Sequence, residues 1–181
     1  MNIKKLSIPD VKEIAVELKS DHRGSFARLF CPEKYAKELP DFEIKQVNSS
    51  MTLKTGAIRG LHFQKAPHSE TKVITCIRGR VFDVAVDLRR NSKTFLQWTS
   101  TILDSNRRNQ LLIPHGFAHG FQVLDGPAEL IYLHDKFYVP QYESGIRFDD
   151  PKLAISWPLE VSDISERDLS HPPIDANFSG V

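Results

Sequence analysis

The 181-residue chain is 40% apolar and 26% charged, enough for one globular domain with a full core, and nothing in residues 1–181 reads as a linker between two. A formal net charge of +1 provides no field of one sign to draw it to nucleic acid or a membrane surface, and no run approaches the ~18 apolar residues of a membrane span. The N-terminus lacks a basic stretch followed by an apolar run, so a soluble cytoplasmic protein is expected.

Helix is expected at Pro32 to Glu38 and at the C-terminal Ser165 to Leu169, and long helical periodicity is otherwise nearly absent. Between them, Pro and Gly punctuate short segments rich in Val, Ile, Phe and Thr, the pattern of an all-β chain. Lys72 to Ile77 reads as a strand, with Arg78-Gly79 as the turn after it. In Val81 to Leu88, Phe82, Val84, Val86 and Leu88 share one face, and Val81, Asp83, Ala85 and Asp87 the other. One face is expected to be core and the other wet or functional. Leu111 to Ile113 and Glu129 to Leu133 are further strands, with Asp125-Gly126-Pro127 as a turn. Closing such strands into a double-sheet jelly roll or barrel, with short peripheral helices, removes exposed edges and leaves a mouth for a ligand. Cys31 and Cys76 are too few for a disulfide scaffold and lack metal spacing, so each reads as a small buried hydrophobe.

Ionisable residues interrupt these apolar strands. Gly56 to Gln64 carries Arg59 and His62; Lys72, Asp83, His119 and Tyr132 follow on later strands. A buried polar group without a partner costs several kcal/mol, so a set of them inside a concave β-fold points to a functional site. A metal is not expected. Only His62 and His119 fit as ligands, and the ammonium of Lys72 repels a divalent cation. Acid–base chemistry fits: His62 as a base if a carboxylate orients its ring, Lys72 stabilising charge on an oxygen, Tyr132 as a weak acid. Together they describe proton transfer at a carbon next to a carbonyl. Each residue alone has a simpler explanation, as a satisfied core His, a snorkelling Lys or a packing Tyr; their conjunction does not. Arg89-Arg90 and Arg107-Arg108 read as solvated surface, whereas Arg23 and Arg59, each beside a Gly, suit a diphosphate. No Gly-x-Ser-x-Gly, P-loop or Rossmann fingerprint is present.

Ordered blocks along nearly the whole chain resemble the dTDP-4-dehydrorhamnose 3,5-epimerase family, cupin-type enzymes. They are Asp21 to Phe26, Gln46-Val47-Asn48, Arg59 to Gln64, Lys72, Asp83 to Arg89, Ser92 to Thr94, Pro114 to Phe121, Tyr132, Tyr138, Asp149 to Pro151, Ile155 to Pro158 and Ser165 to Asp168. The resemblance implies inversion of C3 and C5 of a nucleotide-linked 4-keto-6-deoxy sugar, without a cofactor. It implies His62 as general base paired with Asp168, Lys72 on the C4 enolate and Tyr132 reprotonating the opposite face. Asp83 and His119 support the site, His119 within reach of substrate, and Tyr138 lines the sugar pocket. Arg23, Gln46, Asn48 and Arg59 contact the nucleotide diphosphate, and Phe26 packs near the base. It further implies a homodimer whose N-terminal strands are exchanged, so that Arg23 and Phe26 serve the neighbouring site.

Two residues depart from the family pattern. Arg28 stands where a Glu is usual, and an arginine donates where a carboxylate accepts, which suits an acceptor edge such as that of cytosine or guanine. Glu70 stands where Gln is common, placing a negative charge beside Lys72. A 3-epimerase, or a 5-epimerase, acting at one carbon only would use the same residue types, and a CDP- or GDP-linked sugar is the alternative substrate. A sugar-nucleotide-binding cupin without chemistry would keep Arg23, Arg59 and the aromatics but has no need of His62, Asp168, Lys72 and Tyr132.

Overall fold

The computed structural model describes residues 2–181. The chain opens with strands β1 (Asn2–Lys5) and β2 (Lys12–Ala15), then a hairpin, β3 (Leu18–Asp21) and β4 (Gly24–Ala27), and one helical turn, α1 (Pro32–Tyr35). Strands β5 (Gln46–Thr52), β6 (Ile58–Gln64), β7 (Lys72–Asp87), β8 (Trp98–Asp104), β9 (Gln110–Ile113), β10 (Phe117–His134) and β11 (Glu143–Gly145) follow, and α2 (Glu166–Leu169) lies near the end. Both helices fall inside the expected windows, with Ser165 capping α2 by accepting from the Asp168 amide.

Two long strands make the jelly roll. The first half of β7 pairs with β9 and its second half with β8. Likewise β10 pairs first with β6 and then with β5, while β7 and β10 run antiparallel along nearly their whole length. One layer is therefore β5, β10, β7, β9, β2 and β1, and the other β11, β6, β10, β7 and β8, with the two long strands common to both. Arg78-Gly79 and Asp125-Gly126-Pro127, expected as turns, instead lie inside these strands, where the register shifts. A Cβ on Gly79 would stand 2.3 Å from the Asp125 carbonyl oxygen, and its φ is +72°. The two signals face each other, so the strands bend together rather than reverse.

Alternation sorts side chains into three apolar layers. Ile74, Cys76, Val81, Ala85, Phe121 and Leu130 meet in the interior between the sheets. Val84, Val86, Leu88 and Leu61 face outward and are covered by the C-terminal segment through Leu153, Trp157, Ile174 and Phe178. Ile14, Val73 and Leu112 form the outer face of the other layer, under Phe30, Tyr35 and Phe42 around α1. Neither face of the Val81–Leu88 segment is wet: the C-terminal segment covers the Val84, Val86 and Leu88 face, and the other carries Asp83 inward against His119. Period 2 then decides the site. Lys72 shares its face with Ile74, Asp83 with Val81 and Ala85, His119 with Phe117 and Phe121, and Tyr132 with Leu130, so all four point inward.

Candidate active site

Arg59 and His62 are three residues apart and would point to opposite faces of a regular strand. They come to one face because β6 holds an extra residue: His119 pairs with His62 and Phe121 with Arg59, leaving three steps on β6 against two on β10. Gly60 absorbs the bulge at φ +110°, with a hypothetical Cβ only 2.6 Å from the His119 carbonyl oxygen, so no side chain fits there. Its amide donates to Asp168 Oδ2 at 3.0 Å.

His62 Nε2 lies 2.7 Å from Asp168 Oδ1; the His side chain is one-third exposed and the Asp is buried. Burial alone would raise the Asp168 carboxyl, but the bonds from His62, the Gly60 amide and Ser165 outweigh it and hold it below its ordinary value. An ionised carboxylate only accepts, so Nε2 carries the ring proton and Nδ1 keeps the lone pair. That is the arrangement of an oriented base.

A cavity of about 510 Å³ is lined by His62, Arg59, Lys72, His119, Tyr132, His134, Asn48 and Ser50, with Val47, Ser49 and Phe121. Three strands in one layer and β6 from the other contribute to it. The Tyr132 hydroxyl sits 3.0 Å from Ser50 Oγ, and burial raises its pKa, so it remains a protonated phenol at neutral pH. Lys72 Nζ is 2.9 Å from Glu70 Oε1. His119 Nε2 is 2.8 Å from Asp83 Oδ1, and Asp83 is fully buried, which makes it a support behind the cavity wall.

Several expected residues stand elsewhere in the single chain. Arg23 and Phe26 lie on the β3–β4 hairpin; Arg23 bonds its own Asp21 and is 78% exposed, and Phe26 is 64% exposed. Phe26 and Arg28 border a separate small cavity against α1 and Tyr35. Gln46 and Tyr138 are tied to each other, the Tyr138 amide donating to Gln46 Oε1 at 2.7 Å, and neither lines the cavity.

Sequence reading did not single out His134, Ser50 or His171. His134 lies two residues beyond Tyr132 on β10, so the alternation that turns Tyr132 inward marks His134 too. Burial first, then the Lys72 charge, lowers its pKa to about 4, against the raising effect of Glu70. Ser50 lies two residues beyond Asn48 on β5, so the same alternation marks it, whereas His171, outside any strand, carries no such local signal. The ligand atoms of His62, Asp168 and His171 lie within 4.8 Å of one another, a set not foreseen when only His62 and His119 were weighed as metal ligands.

A family model described as dTDP-4-dehydrorhamnose 3,5-epimerase matches residues 5–176. A dTDP-4-dehydrorhamnose 3,5-epimerase of Shigella flexneri is 38% identical, covering 98% of this chain and 99% of its own. The fold superposes with a TM-score of 0.91 and 37% identity on a dTDP-6-deoxy-D-glucose-3,5-epimerase from Legionella pneumophila Philadelphia 1 in complex with dTDP-4-keto-L-rhamnose, covering 99% of this chain and 97% of that one. A 3′-monoepimerase from Streptomyces bikiniensis in complex with dTDP-quinovose superposes at 0.87 with 33% identity, over 93% and 85% of the two chains.

Proposed function

The chain belongs to the dTDP-4-dehydrorhamnose 3,5-epimerase family, and from that premise we propose that His62, Asp168, Lys72 and Tyr132 invert C3 and C5 of a nucleotide-linked 4-keto-6-deoxy sugar. His62 Nδ1 takes the proton from a carbon beside the C4 ketone, while Asp168 holds the ring and stabilises the imidazolium that forms. The electron pair moves onto O4, where the Lys72 ammonium offsets the developing charge. The Tyr132 phenol returns a proton to the opposite face. Because C3 and C5 both flank the same ketone, one set of groups serves twice, and the ketone itself is the electron sink.

The observation that carries this reading is the His62–Asp168 contact at 2.7 Å opening onto a cavity that also holds Lys72 and Tyr132. Arg59 and Asn48 on the same wall suit the diphosphate, and His119, held by Asp83, suits a sugar oxygen. The experiment follows deuterium at C3 and C5 of dTDP-4-keto-6-deoxyglucose in D₂O by NMR. Exchange at both carbons in the wild type and its loss in His62→Ala support the assignment; undiminished exchange in His62→Ala overturns it.

A one-carbon 3-epimerase is the second reading, favoured by the fold shared with the Streptomyces 3′-monoepimerase. Exchange confined to C3 would select it.

Among the described residues the hairpin formed by β3 and β4 pairs only with itself, and Val47, Met51 and Leu53 on and beside β5 are 57%, 46% and 71% exposed. This unpartnered apolar surface supports a homodimer with exchanged N-terminal strands, in which Arg23 and Phe26 reach the neighbouring cavity, Gln46 contacts the diphosphate and Tyr138 lines the sugar pocket. In that dimer Arg28 lies near the base, and cytidine or guanosine diphosphate binds more tightly than thymidine diphosphate; calorimetry with the three decides.

A further inference from the structure

We propose that His62, Asp168 and His171 form a zinc site whose occupation switches the epimerase off. The inference rests on the reading of His62 as the base. Two imidazoles and a carboxylate are a donor set that suits zinc and disfavours magnesium or calcium, and one ligand atom from each lies within 4.8 Å of the others. Asp168 supplies the negative charge. The cation that acts on His171, the Arg167 guanidinium, is already paired with Glu143, which weakens its repulsion of a metal ion.

The seat of His171 is built for it. Gly145 on β11 is the cross-strand partner of His62, and paired residues of an antiparallel ladder project to the same side. Gly145 has no side chain to project. The His171 ring fills that space instead: a Cβ at residue 145 would stand 2.2 Å from its Nε2, and the two imidazole centroids are 6.3 Å apart. His171 Nε2 is buried and has no hydrogen-bond partner among the described residues. A buried nitrogen left without a partner costs free energy unless something occupies its lone pair or accepts its proton. None of the roles proposed for the epimerase uses this residue.

Inhibition follows from the ring's proton balance. In the free enzyme the one proton of neutral His62 is on Nε2, facing Asp168, and Nδ1 is vacant. An ion bound at Nε2 takes that lone pair, so the proton shifts to Nδ1, the atom that must receive the sugar's proton. No proton is gained or lost by the ring, yet the base is blocked.

The test begins with protein stripped by EDTA. Turnover is measured against added zinc chloride and, separately, magnesium chloride, and zinc per chain is counted by equilibrium dialysis. The expected result is one zinc per chain, inhibition by zinc but not by magnesium, and recovery with EDTA. His171→Asn and His171→Gln are expected to keep metal-free turnover within about twofold while the zinc midpoint rises at least about tenfold, as loss of a ligand requires. Either folded variant suffices. Zinc inhibition unchanged in both variants, or stoichiometric binding without inhibition of an active enzyme, overturns the proposal. If metal-free wild type shows no turnover, the epimerase assignment fails separately, and dialysis alone then decides the site: one zinc in wild type and none in the His171 variants supports it, none in wild type overturns it.

Discussion

Glu70 Oε1 lies 2.9 Å from Lys72 Nζ, and both side chains are about nine-tenths buried. Glu70 is further held by the Gln64 amide, whose oxygen accepts from the Val139 amide at 2.7 Å. The lysine proposed to stabilise the enolate thus spends part of its charge on a neighbour. Replacing Glu70 by Gln keeps an acceptor for Lys72 and removes the competing charge, so kcat is expected to rise about threefold to tenfold, roughly 1 kcal/mol in the barrier. A fall in kcat would show instead that Glu70 holds the ammonium in place.

Asp168→Asn leaves the space filled but substitutes an amide that can donate to Nε2. The ring proton then moves to Nδ1 and the base is lost, with turnover falling about 10²–10⁴-fold while KM changes little. Steady-state kinetics beside His62→Ala checks this, and the two losses should not add, since both residues act as one unit.

Tyr132→Phe keeps the base and the enolate stabiliser but removes the phenolic proton. Solvent deuterium should still enter the substrate, from the His62 face, while inversion falls by about 10²-fold or more. NMR separates the two readouts: equal loss of exchange and inversion would remove Tyr132 from the proton-donor role.

Gly60→Ala is expected to destabilise the fold by about 2–4 kcal/mol, because the new methyl meets backbone and the φ of +110° is one that side-chain-bearing residues rarely adopt. The Asp168 carboxylate loses its bond from the Gly60 amide as the bulge shifts. Urea unfolding gives the first effect. In folded protein below the transition, turnover falls as well.

His134 makes stability depend on pH. Its folded value of about 4 lies below the ordinary 6.5, because burial, Lys72 and His119 disfavour the charged ring more than Glu70 favours it. The unfolded chain therefore takes up a proton first as pH falls. Stability present above about pH 6.5 is lost progressively down to about pH 4 and then levels, with a ceiling of about 3 kcal/mol from this group. Thermal unfolding across that window should be flatter in His134→Gln; an identical slope would exclude His134 as the source.

Much of the chemistry was legible along the chain, because period 2 is a local property. Once Ile74, Val81, Phe121 and Leu130 are recognised as apolar faces, Lys72, Asp83 and Tyr132 stand out as polar residues in phase with them. The same rule reaches His134. It fails at Arg59 and His62, where the bulge at Gly60 breaks the alternation. It fails too at Arg78-Gly79 and Asp125-Gly126-Pro127, whose local turn signals are overruled by the pairing of β7 with β10.

By itself the amino-acid sequence determined the all-β class, the inward set of ionisable residues and the kind of proton chemistry they support, since each depends on residue type and short-range spacing. Which distant groups meet is a matter of tertiary structure, and even the His62–Asp168 pair was implied by the family resemblance and not by spacing. Asp168 is 106 residues from His62, and His171 reaches the same point because Gly145 leaves its space empty. Glu70 stands beside Lys72 in the sequence, but His134 comes up against it from β10, 64 residues on. Contacts of that range are set by how two bent strands share two layers, and no periodicity along the chain records them.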